Sequence, residues 1–217
     1  SIERQEIVGD TWAQSEKGEG TCIGKAVPGA EIKIIQISDE PISKWEEGLE
    51  IPRGQTGEII VKAPWVTKTY FNREDVTRLA KIPDGNTFWH RMGDVGKWDE
   101  QNRLWFCGRK NHRVIIGLET LFTIPCEAIF NQHTDVKRSA LVGKGSNGEP
   151  VIIIEPENKD RVAKDRKTFT KELLELGAAH PHTRSIKKIL FYPDFPVDVR
   201  HNAKIFREKL AAWAESQ

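Results

Sequence analysis

Through the first half of the chain, up to about residue 108, the pattern of apolar and polar positions reads as short strands with Gly/Pro punctuation. The stretches "AEIKIIQI" (30–37) and "TGEIIVKAP" (56–64) are β-branched runs bounded by turn residues, and they predict strands. "FWHRMGDVGKWDEQNRLWFCGR" (88–109) predicts a strand, a turn at Gly-Asp-Val-Gly, a strand, a polar turn at Asp99 to Asn102, and another strand. Helical periodicity is scarce here, except around "REDVTRLAK" (73–81). This portion reads as a small β-rich barrel or sandwich.

The pattern changes after Arg109. "TIPCEAIFNQ" predicts a helix that tolerates Pro125 in its first turn. "RSALVGKGSNGEPVIIIEP" predicts a hairpin turning at "GSNG", which carries an Asn-Gly pair. "KDRVAKDRKTFTKELLEL" predicts a helix with Val162, Phe169, Leu173 and Leu176 on one face and Gly177 as its stop. "KKILFYP" predicts a strand. "AKIFREKLAAWAE" predicts a last helix, with Phe206, Leu210 and Trp213 at i, i+4 and i+7. Strands and helices mixed in this way predict an α+β domain with helices packed on a sheet. The expected fold class is therefore mixed, a β-rich, barrel-like portion followed by a small α+β domain. We expect the boundary at "GRKNHR", giving domains 1–109 and 110–217.

Charge and composition narrow the function. Lysine plus arginine (33) nearly balances aspartate plus glutamate (32), which gives no sign of a nucleic-acid-binding face. No apolar run approaches membrane-spanning length, and residues 1–14 are too polar for a signal peptide. Cys22, Cys107 and Cys126 are odd in number and lack ligand spacing, so they read as reduced, packed thiols of a cytoplasmic protein. The chain opens without Met, as a piece of a longer protein would.

Several residues could carry chemistry. Asp94 has two acceptor oxygens and could take hydrogen bonds from two adjacent hydroxyls, as on a ribose. Equally, an aspartate at such a place commonly does no more than shape a turn. Arg109 follows the strand "RLWFC" and offers a permanently charged fork of donors for phosphate or ribose oxygens; a surface arginine closing a strand would look the same. Lys204 is placed just before or in the first turn of the last helix, where the helix dipole favours an anion. A bound phosphate or carboxylate would account for it, and so would plain solvation. "HPH" at His180 to His182 lacks further ligands nearby and reads as a polar loop more readily than as a metal site. Neither a G-x-S-x-G elbow nor a P-loop is present.

These signals occur in order, at spacings that resemble the C-terminal part of the adenylate-forming enzymes: acyl-CoA synthetases, fatty acyl-AMP ligases, luciferases and peptide-synthetase adenylation domains. The matching pieces are "GEIIVKAPWVTKTYFNREDVT" (57–77), "WHRMGDVGKWDEQNRLWFCGRKNHRVIIG" (89–117), "IPCEAIFNQHTDVKRSALVG" (124–143) and "VDVRHNAKIFREKL" (197–210). "GEGTCIGKAVPGAEIKII" also resembles the family's Gly-rich stretch before a Pro-Gly turn.

The resemblance implies a large domain that binds ATP and a carboxylic acid, and a small mobile domain that closes over it. It implies formation of an acyl-adenylate with release of pyrophosphate, then displacement of AMP. Residues 1–109 would be the C-terminal, β-rich portion of the large domain, and 110–217 the small one. Asp94 matches the aspartate that accepts from the ribose hydroxyls of ATP, and Arg109 the arginine that also contacts the ribose. Asn111 falls at the hinge, and Gly117 in the loop that approaches the acceptor side. Lys204 matches the catalytic lysine that bridges the substrate carboxylate and the α-phosphate. ATP/AMP is the implied cofactor. Magnesium ligands and the phosphate loop would lie upstream of residue 1, on the missing N-terminal part of the same protein.

The chain departs from the common pattern at Ala203 (usually Gly), Met92 (commonly Thr), Thr69 (frequently Gly), and Asn111 with His112 (commonly an Asp pair). These changes argue against an ordinary acyl-CoA synthetase. The ending "VDVRHNAKIFREKLA" resembles the β-lactone synthetases of bacterial olefin biosynthesis. There the adenylate of a β-hydroxy fatty acid is attacked by its own hydroxyl, without CoA, and contact with other lipid-biosynthesis enzymes is a natural expectation. The alternatives are a fatty acyl-CoA or acyl-AMP ligase, which would bring CoA in, and a non-catalytic docking module.

Overall fold

The short apolar runs of the first half build a single antiparallel sheet. In the computed structural model, residues 1–145, 147–198 and 201–217 are described, with side chains at all of these but 201–203. Ser146 of the "GSNG" turn, Val199 and Arg200 of the last motif, and the side chain of Ala203 lie outside the described residues. The chain divides into two units: Ser1–Trp12 with Gly20–Asn111, and Ala13–Glu19 with His112–Gln217.

In the first unit the strands are β1 (Thr21–Gly24), β2 (Glu31–Ile35), β3 (Gly57–Lys62), β4 (Lys81–Asp84), β5 (Thr87–Trp98) and β6 (Leu104–Arg109), in the order β1-β6-β5-β3-β2 with β4 added on β5. Strand β5 is long enough to hold β4 along its first half and β6 along its second. The sheet is a curled antiparallel half-barrel with β1 and β2 at the ends of its path, in keeping with the barrel-like portion expected from the sequence. Both faces are covered. Ile35, Ile60, Ile82 and Trp89 pack on one side, and Ile34, Ile59 and Leu104 on the other. That double burial is why β2 and β3 read as apolar runs and not as strict alternation.

A helical stretch not anticipated from the sequence precedes the sheet: α1 (Arg4–Glu6), a π-wound segment (Ile7–Thr11) and α2 (Trp12–Glu16). Its apolar residues give no clear stripe, since Val8 and Trp12 are exposed. It is held instead by charge. Buried Arg103 places Nη1 2.6 Å from Asp10 and Nε 2.6 Å from Asp99. Asp99 also caps the polar turn at 99–102, accepting from the backbone N–H groups of Gln101 and Arg103. Helix α3 (Glu74–Ala80) stands where "REDVTRLAK" placed it.

The second unit has the three-stranded sheet β11-β10-β9, from β9 (Val136–Lys144), β10 (Glu149–Pro156) and β11 (Lys188–Phe191). Strand β10 runs antiparallel to β9 and parallel to β11. Along β10, Ile152 and Ile154 face a core with Cys126, Phe130, Phe169 and Leu173, from α4 (Thr123–Phe130) and α5 (Lys159–Ala178). Val151 and Ile153 face the opposite core, with Leu210 and Ala214 of α6 (Arg207–Glu215). Gly177 does not stop α5 as expected; it lies inside the helix, in its last turn, where a Cβ would meet the Phe130 ring at 2.8 Å. Two small hairpins complete the unit, β7 (Val114–Ile116) with β8 (Glu119–Leu121), and β12 (Val197–Asp198) with β13 (His201–Ile205). Cys22, Cys107 and Cys126 are buried and form no disulfide among the described residues, and burial pushes the thiols of Cys22 and Cys126 above their ordinary range. No described helix is long and apolar enough to cross a membrane.

Candidate functional site

The expected Gly-Asp-Val-Gly turn is instead a bulge inside β5. Glu58 of β3 pairs with Val95 and Ile60 pairs with Arg91, so Met92, Gly93 and Asp94 stand opposite Ile59 alone. Gly93 takes φ +71°, a left-handed conformation that costs glycine little. The turn signal in the sequence was real, but the ladder resumes on both sides of it, and the excess residues are pushed out of register.

That bulge sets Asp94 opposite Arg109 on β6. Arg109 Nη1 lies 2.8 Å from Asp94 Oδ1, with the Asp94 side chain 19% exposed and that of Arg109 57%. The two form an ion pair, and among the described residues Arg109 is the cation beside Oδ1. One ion pair uses only part of the acceptor capacity of a carboxylate's two oxygens. Burial raises the Asp94 carboxyl above its ordinary range, and the Arg109 charge opposes that rise.

Beneath the bulge lies a fully buried carboxylate. Glu58 accepts from Arg91 Nε at 3.0 Å and Arg91 Nη2 at 2.7 Å, and Lys110 Nζ stands 3.3 Å from its Oε1. Arg91 also donates to the carbonyls of Ser38, Glu40 and Leu79, and Lys110 to that of Ser38.

Asn111 is exposed in a single 3₁₀ turn (Lys110–His112). Its neighbours are tethered within separate units: Lys110 to Glu58 and Ser38 in the first, His112 Nε2 to Glu208 at 3.1 Å in the second. Gly117, at φ +57°, opens the tight turn between β7 and β8, where Ile116 pairs with Glu119. A Cβ at Gly117 would meet nothing, so the left-handed φ is what favours glycine there. Leu118, next to it, is fully exposed.

Lys204 is exposed on strand β13, just before α6 as one of the two expected placements had it; the helix begins only at Arg207. Among the described residues Lys204 forms no ion pair. Strand β13 pairs with β12 through Ile205 and Val197, and Phe206 N–H donates to the Pro196 carbonyl at 2.8 Å. Arg207, the first residue of α6, grips buried Glu127 of α4 with both guanidinium nitrogens, Nη2 at 2.7 Å. Glu127 also accepts from Leu141 N–H at 2.8 Å. Burial pushes the Glu127 carboxyl up, and Arg207 opposes the shift. The end of the Lys204 strand is thereby fixed to the core of its unit.

Asp94 and Arg109 are thus brought together in the first unit, Asn111 ends it, and Gly117 and Lys204 lie in the second. His180 and His182 have ring centroids 6.0 Å apart, with His182 Nε2 3.3 Å from the Pro125 carbonyl. Among the described residues, no group of three or more His, Cys, Asp or Glu side chains could hold a metal.

The chain is 47% identical to an olefin β-lactone synthetase of Xanthomonas campestris over 214 residues, covering 95% of this chain and 38% of that protein. The chain is a homologue of the olefin β-lactone synthetases. A second such synthetase, from Stenotrophomonas maltophilia, is 43% identical over 212 residues, again covering 95% and 38%. This homologue therefore spans about two fifths of the length of these relatives. Its fold matches the o-succinylbenzoate-CoA synthetase of Bacillus subtilis, solved with an acyl-adenylate intermediate, at TM-score 0.70 and 21% identity over 96% of this chain and 37% of that one. No family model matches.

Sequence reasoning missed buried Glu58, Arg91 and Glu127, and half-buried Arg207 that pairs with Glu127. A signal was present. Glu58 stands in "GEIIV" and Glu127 in "PCEAIF", each a lone carboxylate within an apolar run. Such a residue is buried with its neighbours and needs a partner.

Proposed function

We propose that this chain supplies the ribose contacts and the phosphate-facing lysine of an ATP-dependent adenylate-forming ligase acting on a β-hydroxy fatty acid. The observation that carries the reading is the pairing of part-exposed Asp94 with Arg109 across the β5–β6 ladder, a single ion pair that leaves the carboxylate acceptor capacity to spare. A ribose diol is a pair of adjacent donors, and it suits a carboxylate with free acceptor capacity. Arg109 adds fixed positive charge beside it.

In the first step the substrate carboxylate attacks the α-phosphorus of ATP, forming an acyl–phosphate bond and releasing pyrophosphate. Lys204 faces the charge that builds on the phosphoryl oxygens, and a fixed cation lowers the energy of that transition state. In the second step the β-hydroxyl oxygen of the same acyl group attacks its carbonyl carbon. The hydroxyl proton is lost, the bond to AMP breaks, and the products are a β-lactone and AMP. Ring closure replaces a bimolecular attack by an intramolecular one, so orientation supplies much of the gain. Magnesium would accompany ATP; the described residues do not form a site for it, and none of these steps is assigned to it. Asn111 is the proposed hinge, and Gly117 the loop that approaches the acceptor side.

The test is exchange of labelled pyrophosphate into ATP by the full-length protein carrying this chain. The reading expects exchange that depends on added β-hydroxy fatty acid. Exchange indifferent to the acid, or none at all, would overturn it.

A further inference from the structure

We propose that Glu58 is a positioning residue that holds the Asp94 bulge and the Arg109–Asn111 segment with a single carboxylate. The inference rests on the reading of Asp94 and Arg109 as nucleotide contacts. Three observations carry it, all within the first unit.

First, the register places Glu58 at one end of the bulge, opposite Val95, while Arg91 marks the other end, opposite Ile60. The Glu58–Arg91 fork, with contacts of 3.0 and 2.7 Å, therefore ties the two ends of the bulge together from below. A bulge with surplus residues has slack, and Asp94 sits in it. Bridging its ends removes that slack.

Second, the same carboxylate takes Lys110, whose Nζ is 3.3 Å from Oε1 and 3.4 Å from Oε2. Lys110 directly follows Arg109, the residue paired with Asp94 across the β5–β6 ladder. Asp94 and Arg109 are thus both set by what Glu58 grips.

Third, the cluster is built for rigidity. Glu58 and Arg91 are buried, and Arg91 spends its remaining donors on the Ser38, Glu40 and Leu79 carbonyls. Lys110 spends another on Ser38 O at 2.7 Å. A surface ion pair could be lost without consequence; a buried anion shared by two cations cannot be rearranged locally.

Glu58→Gln keeps the shape but turns an acceptor into an N–H₂ donor facing Lys110 or Arg91. The experiment compares the full-length enzyme, Glu58→Gln, Lys110→Met and Asp94→Asn in acid-dependent pyrophosphate exchange, each with ATP and with 2′,3′-dideoxy-ATP. Glu58→Gln is expected to raise KM for ATP about tenfold, a scale ordinary for small misplacements of a binding group. It should leave KM for the dideoxy analogue, which has no hydroxyls for Asp94, unchanged, with kcat little altered. Lys110→Met leaves the Arg91 fork intact and should shift the same ratio in the same direction by a smaller factor. It also decides the matter if Glu58→Gln does not fold. Equal losses for both nucleotides, or no change in their ratio in either variant, would overturn the positioning role. Asp94→Asn separates the two ideas. If it keeps the full preference for ATP over the analogue, the ribose reading itself is wrong. If it abolishes that preference while Glu58→Gln and Lys110→Met leave it intact, only the role of Glu58 is wrong.

Discussion

Asp94 and Arg109 face each other across the β5–β6 ladder as an ion pair, 2.8 Å apart at Oδ1 and Nη1. Asp94→Asn replaces the anionic acceptor by a neutral amide. A hydrogen bond to a charged group contributes about 1.5–3 kcal/mol. We therefore expect the apparent affinity for ATP to fall roughly tenfold to a hundredfold, read as KM in pyrophosphate exchange.

The same site predicts a pH dependence. Burial raises the Asp94 carboxyl above its ordinary range in the free protein, and Arg109 only partly offsets this. Hydroxyl donors bind the ionised form, so protonation competes with the ribose. Affinity should be full above the raised pKa of Asp94 and fall as pH drops through it, at a higher pH than an ordinary aspartate would give. Titration of nucleotide binding against pH checks this, and Asp94→Asn should flatten the profile. The stability linkage runs the other way. A carboxyl raised on folding contributes stability below its unfolded pKa and loses it as pH rises through the folded one.

Asn111 lies between two tethered residues, Lys110 held by Glu58 and His112 by Glu208. A change of orientation there would concentrate in one residue's dihedrals. Asn111→Pro fixes φ and restricts Lys110 before it. One half-reaction should slow more than the other when adenylate formation and its consumption are timed separately. Equal slowing would count against a hinge at this position.

Lys204→Ala should reduce adenylate formation by roughly a hundredfold or more, the scale for loss of one preorganised charge contact to a transition state. Lys204 is exposed, so the fold should change by about half a kcal/mol or less. Acyl-adenylate supplied ready-made should still go to product, because the lysine acts before that step. Normal adenylation by this variant would reduce Lys204 to a solvated surface charge.

Arg207→Ala strands the Glu127 carboxylate in the core, where burial already pushes its pKa up. Removing one partner of a buried pair costs about 3–5 kcal/mol. Thermal unfolding should show this as a lowered midpoint, and Arg207→Lys should recover only part of it, since an ammonium cannot reproduce the two-pronged grip.

The strands and helices with clear periodicity were legible from the sequence: β2, β3, α4 and the β9–β10 hairpin follow from runs that alternate or pack on two faces. Asp94 was singled out for its chemistry but misplaced. Gly93 announces a left-handed residue, and a turn and a bulge need the same backbone there. What separates them is pairing with β3 and β6, which is not local. The helical stretch at 4–16 was invisible because Arg103 and Asp10 hold it, not an apolar stripe. Glu58 and Glu127 were not singled out, although each is a lone carboxylate within an apolar run. The comparison with the olefin β-lactone synthetases agrees with the resemblance read from the motifs. The roles assigned to Asp94, Arg109, Asn111, Gly117 and Lys204 await the variants above.

The central claim is that an acyl-adenylate made with Lys204 closes on its own β-hydroxyl. The most direct measurement is product analysis of the full-length protein with ATP, magnesium and a β-hydroxy fatty acid, with and without CoA. A β-lactone and AMP formed equally well in both, and neither formed from an acid lacking the hydroxyl, is the predicted result. An acyl-CoA thioester that appears only when CoA is added, with no lactone, would contradict it.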